Sequence, residues 1–103
     1  MEIYEDISSS ELNNMINNKE KLILLDVRTE AEYNTSRIPN AINIPISDLD
    51  SQIDHLLPYK DEKIIIYCRS GKRSIYAAHL LDEYGFSHLY NLTQGIIGHL
   101  NYL

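Results

Sequence analysis

Tryptophan is absent from this sequence, phenylalanine and cysteine occur once each, and only four glycines and three prolines punctuate it. One cysteine, Cys68, excludes an intramolecular disulfide, a CxxC redox pair and a multi-cysteine zinc site. No apolar run approaches the ~20 residues needed to cross a bilayer. The opening Met1-Glu2-Ile3-Tyr4-Glu5-Asp6 is acidic and lacks the basic-then-apolar layout of a secretory leader. The expectation is therefore a cytoplasmic chain with no membrane partner. Basic side chains are also scarce, nine against fifteen acidic for a net charge of −6, which argues against a nucleic-acid binder. There is no repeat, low-complexity tract or Pro/Gly-rich linker. A chain of 103 residues then reads as one domain over 1–103, enough for one core and one site.

What is present is a run of short apolar segments. A strand is expected near Ile3 to Tyr4, then a helix in which Ser8 and Glu11 have capping-box spacing and Leu12, Met15 and Ile16 share a face. Leu22 to Val27 reads as a strand buried on both faces, and from Asp26 to Tyr33 the chain becomes polar. Ala41 to Ile44 is a short extended piece between Pro39 and Pro45. Ser47 is placed to cap a helix carrying Leu49, Ile53 and Leu56, with Pro58 after its end. Lys63 to Tyr67, rich in β-branched residues, is the clearest strand. After Ser74 a helix follows with Ile75, Ala78 and Leu81 inward and Gly85 as its stop. His88 to Leu92 is a weaker strand and Gln94 to Leu100 a last helix. Buried strands alternating with helices argue for an α/β fold.

The distribution of charge singles out one stretch. Three of the nine cations, Arg69, Lys72 and Arg73, fall within five residues, leaving six basic against fifteen acidic side chains elsewhere. They stand beside the only cysteine. A lone cysteine is most often a small buried hydrophobe, and a run of cations a solvated surface. Here a strand delivers Cys68 to the carboxyl edge of a parallel sheet, where ligands bind in open α/β folds. Gly71 permits a sharp turn, the turn's N–H groups can form an anion nest, and a helix N-terminus near Ser74 adds its positive end. These features favour thiolate over thiol. Flanking guanidinium groups can hold an anion through paired hydrogen bonds.

Spacing separates the chemistries. Cys68 to Arg73 is C-x4-R, whereas cysteine phosphatases use C-x5-R, and Ser74 stands at that place here. A Walker-type phosphate loop is absent, because no glycine precedes Gly71 and Arg73 follows Lys72. His55, His79, His88 and His99 show no metal-ligand spacing and read as surface or half-buried residues, so no metal or other cofactor is expected. Eight tyrosines, spread along the chain, read as packing and not as a base-stacking platform.

Leu25-Asp26-Val27-Arg28 with Glu32-Tyr33, then Ile38-Pro39-Asn40-Ala41, then Cys68 to Ser74, then Asn91-Leu92 with Gly95 follow one another at family spacing. Together they make the chain resemble the single-domain rhodaneses, sulfurtransferases of the rhodanese-like superfamily, from about Ile3 to His99. The resemblance implies a single rhodanese-like domain with a central, mainly parallel sheet and helices on both faces. It implies a catalytic Cys68 that accepts sulfane sulfur as a persulfide and passes it to cyanide, a thiol or an acceptor protein. Arg69, Ser70, Gly71, Lys72, Arg73 and Ser74 would bind a small anionic sulfur donor, thiosulfate being the usual one. Asp26, Arg28 and Glu32 would brace the site. The chain departs from the pattern at Ser36-Arg37, where Gly-His is common, and at Asn40, where glycine is usual. Gln94 replaces the first of two glycines, and His99 stands where a tryptophan is common. Arg37 either adds a cation near the loop or sits in solvent. A persulfide carrier or a protein-docking module with little small-molecule turnover is the alternative reading. A phosphatase or arsenate reductase is a third, opposed by the spacing and by the lack of further cysteines.

Overall fold

In the computed structural model, which describes residues 2–100, strands and helices alternate from end to end. They run β1 (Glu5–Ile7), α1 (Ser9–Asn17), β2 (Leu22–Asp26), α2 (Glu30–Thr35), β3 (Ile42–Asn43), β4 (Lys63–Tyr67), α3 (Arg73–Glu83), β5 (Leu89–Leu92) and α4 (Gly95–His99). The strands form one sheet in the order β1-β5-β4-β2-β3, and every pair is parallel. Among the described residues, no helix is long and apolar enough to cross a membrane.

The central strand shows why the sheet must be covered twice. Successive side chains of a strand point to opposite faces. From β4, Ile64, Ile66 and then Cys68 enter one core, with Leu25, Leu49, Ile53, Leu56, Ala77, Ala78 and Leu81. Ile65 and Tyr67 enter the other, with Leu12, Leu24, Ile38, Leu92 and Ile96. All five of those β4-derived side chains are essentially inaccessible. Burying each aliphatic one stabilises the fold by roughly 1.5–3 kcal/mol. Tyr67 keeps its polar tip satisfied by accepting the Ile38 N–H at 3.1 Å.

Several expectations change. The first strand lies at Glu5–Ile7, not at Ile3 to Tyr4, because its register is set by pairing with β5: Asp6 opposite Asn91, Ile7 opposite Leu92. The expected helix after Ser47 is instead three short 3₁₀ turns, Ile46–Asp48, Ile53–His55 and Leu57–Tyr59. Leu49, Ile53 and Leu56 are buried as their spacing foretold. The backbone does not stay helical: its N–H bonds are mostly to the residue three back, as from His55 to Gln52 and Leu56 to Ile53, and Pro58 stands inside the third turn. Helix α3 starts at Arg73 and turns Ser74, Ala77, Ala78 and Leu81 inward, leaving Ile75 only half-buried. Helix α2 occupies part of the polar stretch, to which the sequence assigned no element, and is held by a reciprocal Thr29–Glu32 capping box. His99, expected at or near the surface, is 2% exposed, and burial holds its pKa below the ordinary value. Asn40 has φ +70°, the left-handed region in which asparagine stands in for glycine.

At the end of β2 a buried ion pair fixes the next loop. Asp26 receives the Arg28 N–H at 2.9 Å, Nε at 3.0 Å and Nη2 at 2.6 Å. The same guanidinium reaches the Ser36 carbonyl at 2.6 Å and lies over the Tyr67 ring. Asp26→Ala would leave an uncompensated guanidinium in the interior. It is expected to cost about 3–5 kcal/mol, measured as a lowered midpoint in urea denaturation. A loss under ~1 kcal/mol would show the pair to be dispensable.

Candidate active site

Cys68 follows β4 directly and opens a tight loop that leads into α3. The residue is 1% exposed, and its sulfur receives the Gly71 N–H at 3.1 Å. Ser74 Oγ lies 3.6 Å away. Burial pushes the thiol pKa up, but the Ser74 hydroxyl and the N–H groups of Ser74, Ser70 and Gly71 outweigh it, leaving the value below the ordinary one. The thiolate is thus favoured chiefly by short-range donors.

The loop holds this shape by backbone contact with the turn between β5 and α4. Gly71 has φ +93°, and a Cβ there would lie 2.2 Å from the Thr93 carbonyl oxygen. Gly95, at φ +60°, would place a Cβ 2.3 Å from the Arg69 carbonyl oxygen. Across that contact, the Ile96 N–H donates to the Cys68 carbonyl at 2.9 Å and the Ile97 N–H to the Arg69 carbonyl at 3.3 Å. Gln94 departs from the family pattern without strain, because its φ of −94° suits any residue. Its side chain fills the space a Cβ on Gly98 would need.

The three loop cations divide. Arg73 grips Glu32 with two bonds, Nη1 to Oε1 at 2.8 Å and Nη2 to Oε2 at 3.0 Å. Glu32 also accepts the Thr29 N–H at 3.0 Å, so one carboxylate ties the start of α2 to the start of α3. The hydrogen bonds from Arg73, against some desolvation, hold the Glu32 pKa down at about 2. Arg69 and Lys72 are exposed. Arg37 stacks over the Tyr33 ring at 4.7 Å and is exposed. Asp26 and Arg28 engage each other, while Glu32 reaches the loop through Arg73.

Two residues join the site that motif reading left aside as participants. Asn91 of β5 accepts from Ser74 Oγ at 2.5 Å, and its amide nitrogen donates to Asp6 of β1 at 3.1 Å. Asn91 had a signal, as a polar side chain in an apolar strand. Asp6 had none, since its place depends on the β1–β5 register. No cluster of three metal-ligating side chains occurs among the described residues.

A family model described as Rhodanese-like domain matches residues 8–99. The chain is 36% identical over 98 residues to a sulfurtransferase of Allochromatium vinosum, covering 89% of this chain and 84% of that protein. It is 34% identical to a tRNA uridine(34) hydroxylase of Buchnera aphidicola over 88% of this chain, but spans only 30% of that enzyme. The solved structure of a rhodanese-related protein from Thermoplasma volcanium superposes with TM-score 0.81 at 29% identity, covering 96% of this chain and 93% of that one.

The Glu32 carboxylate sets an acid limit on this arrangement. Its folded pKa, about 2, lies below the ordinary 4.5, so the folded state binds fewer protons in that interval. The pair's contribution is complete above pH 4.5 and is lost as the pH falls toward 2. Denaturation midpoints should therefore drop through this window in the native protein and drop less in Glu32→Gln. Parallel pH profiles for the two proteins would rule out the linkage.

Proposed function

The chain belongs to the rhodanese-like family, and we propose that it acts, as one domain over residues 1–103, by moving sulfane sulfur through a Cys68 persulfide. The observation that carries this reading is the ring of loop groups around one sulfur: the Gly71 N–H, which donates to it, the Ser74 hydroxyl 3.6 Å away, and the start of α3. Such a ring suits an anion on sulfur both before and after loading.

With a donor such as thiosulfate, the Cys68 thiolate attacks the sulfane sulfur. A new S–S bond forms with the electron pair of Sγ, the donor's own S–S bond breaks, and sulfite leaves with that pair. The terminal persulfide sulfur then carries the negative charge under the loop amides. Cyanide or a thiolate next attacks that sulfur and leaves with it, as thiocyanate or as an acceptor persulfide, and Sγ departs as thiolate. The route is ping-pong and needs no cofactor. Arg69 and Lys72, exposed at the loop, recruit the anionic donor, while Arg73 positions the loop through Glu32. The reading places the protein in the cytoplasm, where thiol acceptors stay reduced. A carrier role, with another protein's thiol as acceptor, uses the same first step. A loop one residue shorter than C-x5-R suits sulfur transfer better than phosphoryl chemistry.

Loading with thiosulfate and no acceptor should add one sulfur atom to Cys68, seen by intact mass and located by peptide mapping. Cyanide should then discharge it in a single phase, and Cys68→Ser should show neither event while remaining folded. Failure of any sulfane donor to load the protein would leave a docking module. Arg69→Ala should raise the KM for thiosulfate by about ten- to a hundredfold, the worth of a charge-assisted contact. Lys72→Ala should do less, because an ammonium lacks the planar fork.

A further inference from the structure

A line of side-chain hydrogen bonds leads from the sulfur to the far edge of the sheet. Cys68 Sγ is 3.6 Å from Ser74 Oγ, Ser74 Oγ is 2.5 Å from Asn91 Oδ1, and Asn91 Nδ2 is 3.1 Å from Asp6 Oδ1. Ser74 and Asn91 are buried, whereas Asp6 reaches solvent on the edge strand β1.

The direction of each bond follows from the groups available. An ionised carboxylate only accepts, so Asn91 must turn its NH₂ to Asp6 and its carbonyl to Ser74. A carbonyl also only accepts, so the single proton of the Ser74 hydroxyl goes to Asn91. Ser74 then faces the sulfur with its lone pairs. That arrangement matches a thiol, whose S–H can donate to Ser74, and mismatches a thiolate. We propose that Asp6 and Asn91 are positioning residues that hold the Ser74 hydroxyl as an acceptor toward the Cys68 thiol, so that it must swing to the sulfur when the thiolate or persulfide forms. The thiol proton leaves to a base in solvent. Ser74 keeps its own proton, and only its torsion changes.

Asp6 thereby acts as a remote brake on thiol acidity, because the thiolate must win the Ser74 proton from Asn91. The other charges around Cys68 are Arg73 of α3 with its partner Glu32, the Asp26–Arg28 pair at the end of β2, and Arg69 and Lys72 on the loop. None of these takes part in the line. The proposal rests on Cys68 being the nucleophile of the proposed function, but its test reads the thiol alone and is answered whether or not sulfur is transferred.

The test is the pH profile of iodoacetamide alkylation of Cys68, which follows the thiolate fraction. In Asp6→Ala, Asn91 is free to turn its NH₂ toward Ser74, releasing the Ser74 proton to the sulfur. The midpoint should fall by roughly half a unit to one unit, the worth of one ordinary hydrogen bond. Removing a negative charge favours thiolate through space as well, so the same substitution is made in Ser74→Ala. There Asp6→Ala should shift the midpoint little or not at all. An equal shift in both backgrounds would reduce Asp6 to a distant charge, and an unshifted midpoint in Asp6→Ala alone would also overturn the proposal. Asn91→Leu, which removes the competing acceptor, should lower the midpoint in the same way. Because Asp6 is exposed on an edge strand, its variant keeps the question open to measurement even if Asn91→Leu fails to fold.

Discussion

The site depends on where the loop's carbonyls go. A peptide that points its N–H groups inward must point its carbonyls elsewhere, and a buried carbonyl without a partner costs more than the loop could recover. The first turn of α4 resolves this by donating the Ile96 and Ile97 N–H groups to the Cys68 and Arg69 carbonyls. A helix start has just such unclaimed donors. Gly71 and Gly95 exist to let the two backbones come this close. Sulfur-directed amides, the positive φ of both glycines and the placement of α4 are thus one arrangement.

Around it, two ion pairs do different jobs. Asp26–Arg28 is interior and faces the Tyr67 ring, so it organises the end of β2 and the chain that follows α2. Glu32–Arg73 is half-exposed and joins two helix starts, which fixes the loop from outside. Both of these carboxylates near the sulfur are paired with an arginine, and the exposed Arg69 and Lys72 leave a local positive field in a molecule of net charge −6.

Much of this was legible in the sequence, for local reasons. Lys63–Tyr67 reads as a strand because four residues of strong β-character, Ile64 to Tyr67, follow Lys63 between turn signals, and Gly85 ends α3 at φ +89° as a helix stop should. The cysteine loop declares itself by concentrated charge. Features set by distant partners were not legible. The place of β1 follows from β5, and the contact of Asp6 with Asn91 follows from that register. Helix α2 has no buried residue, so no apolar stripe marked it, although Thr-x-x-Glu was there to be read. The segment after Pro45 kept its pattern of burial but not its helix, since periodicity reports which residues turn inward and not how the backbone hydrogen-bonds.

The alternation along β4 reaches past the strand's end. Cys68 continues the row of Ile64 and Ile66 into the same core, so the proposed nucleophile occupies what is also an ordinary interior position. Chemistry and packing make separate demands on that one site, and a small apolar residue would meet the second without the first. A single codon change could thus turn a reactive domain into an inert one with the same surface. In a lineage where that surface already served an interaction, drift would preserve the shape while the reaction disappeared.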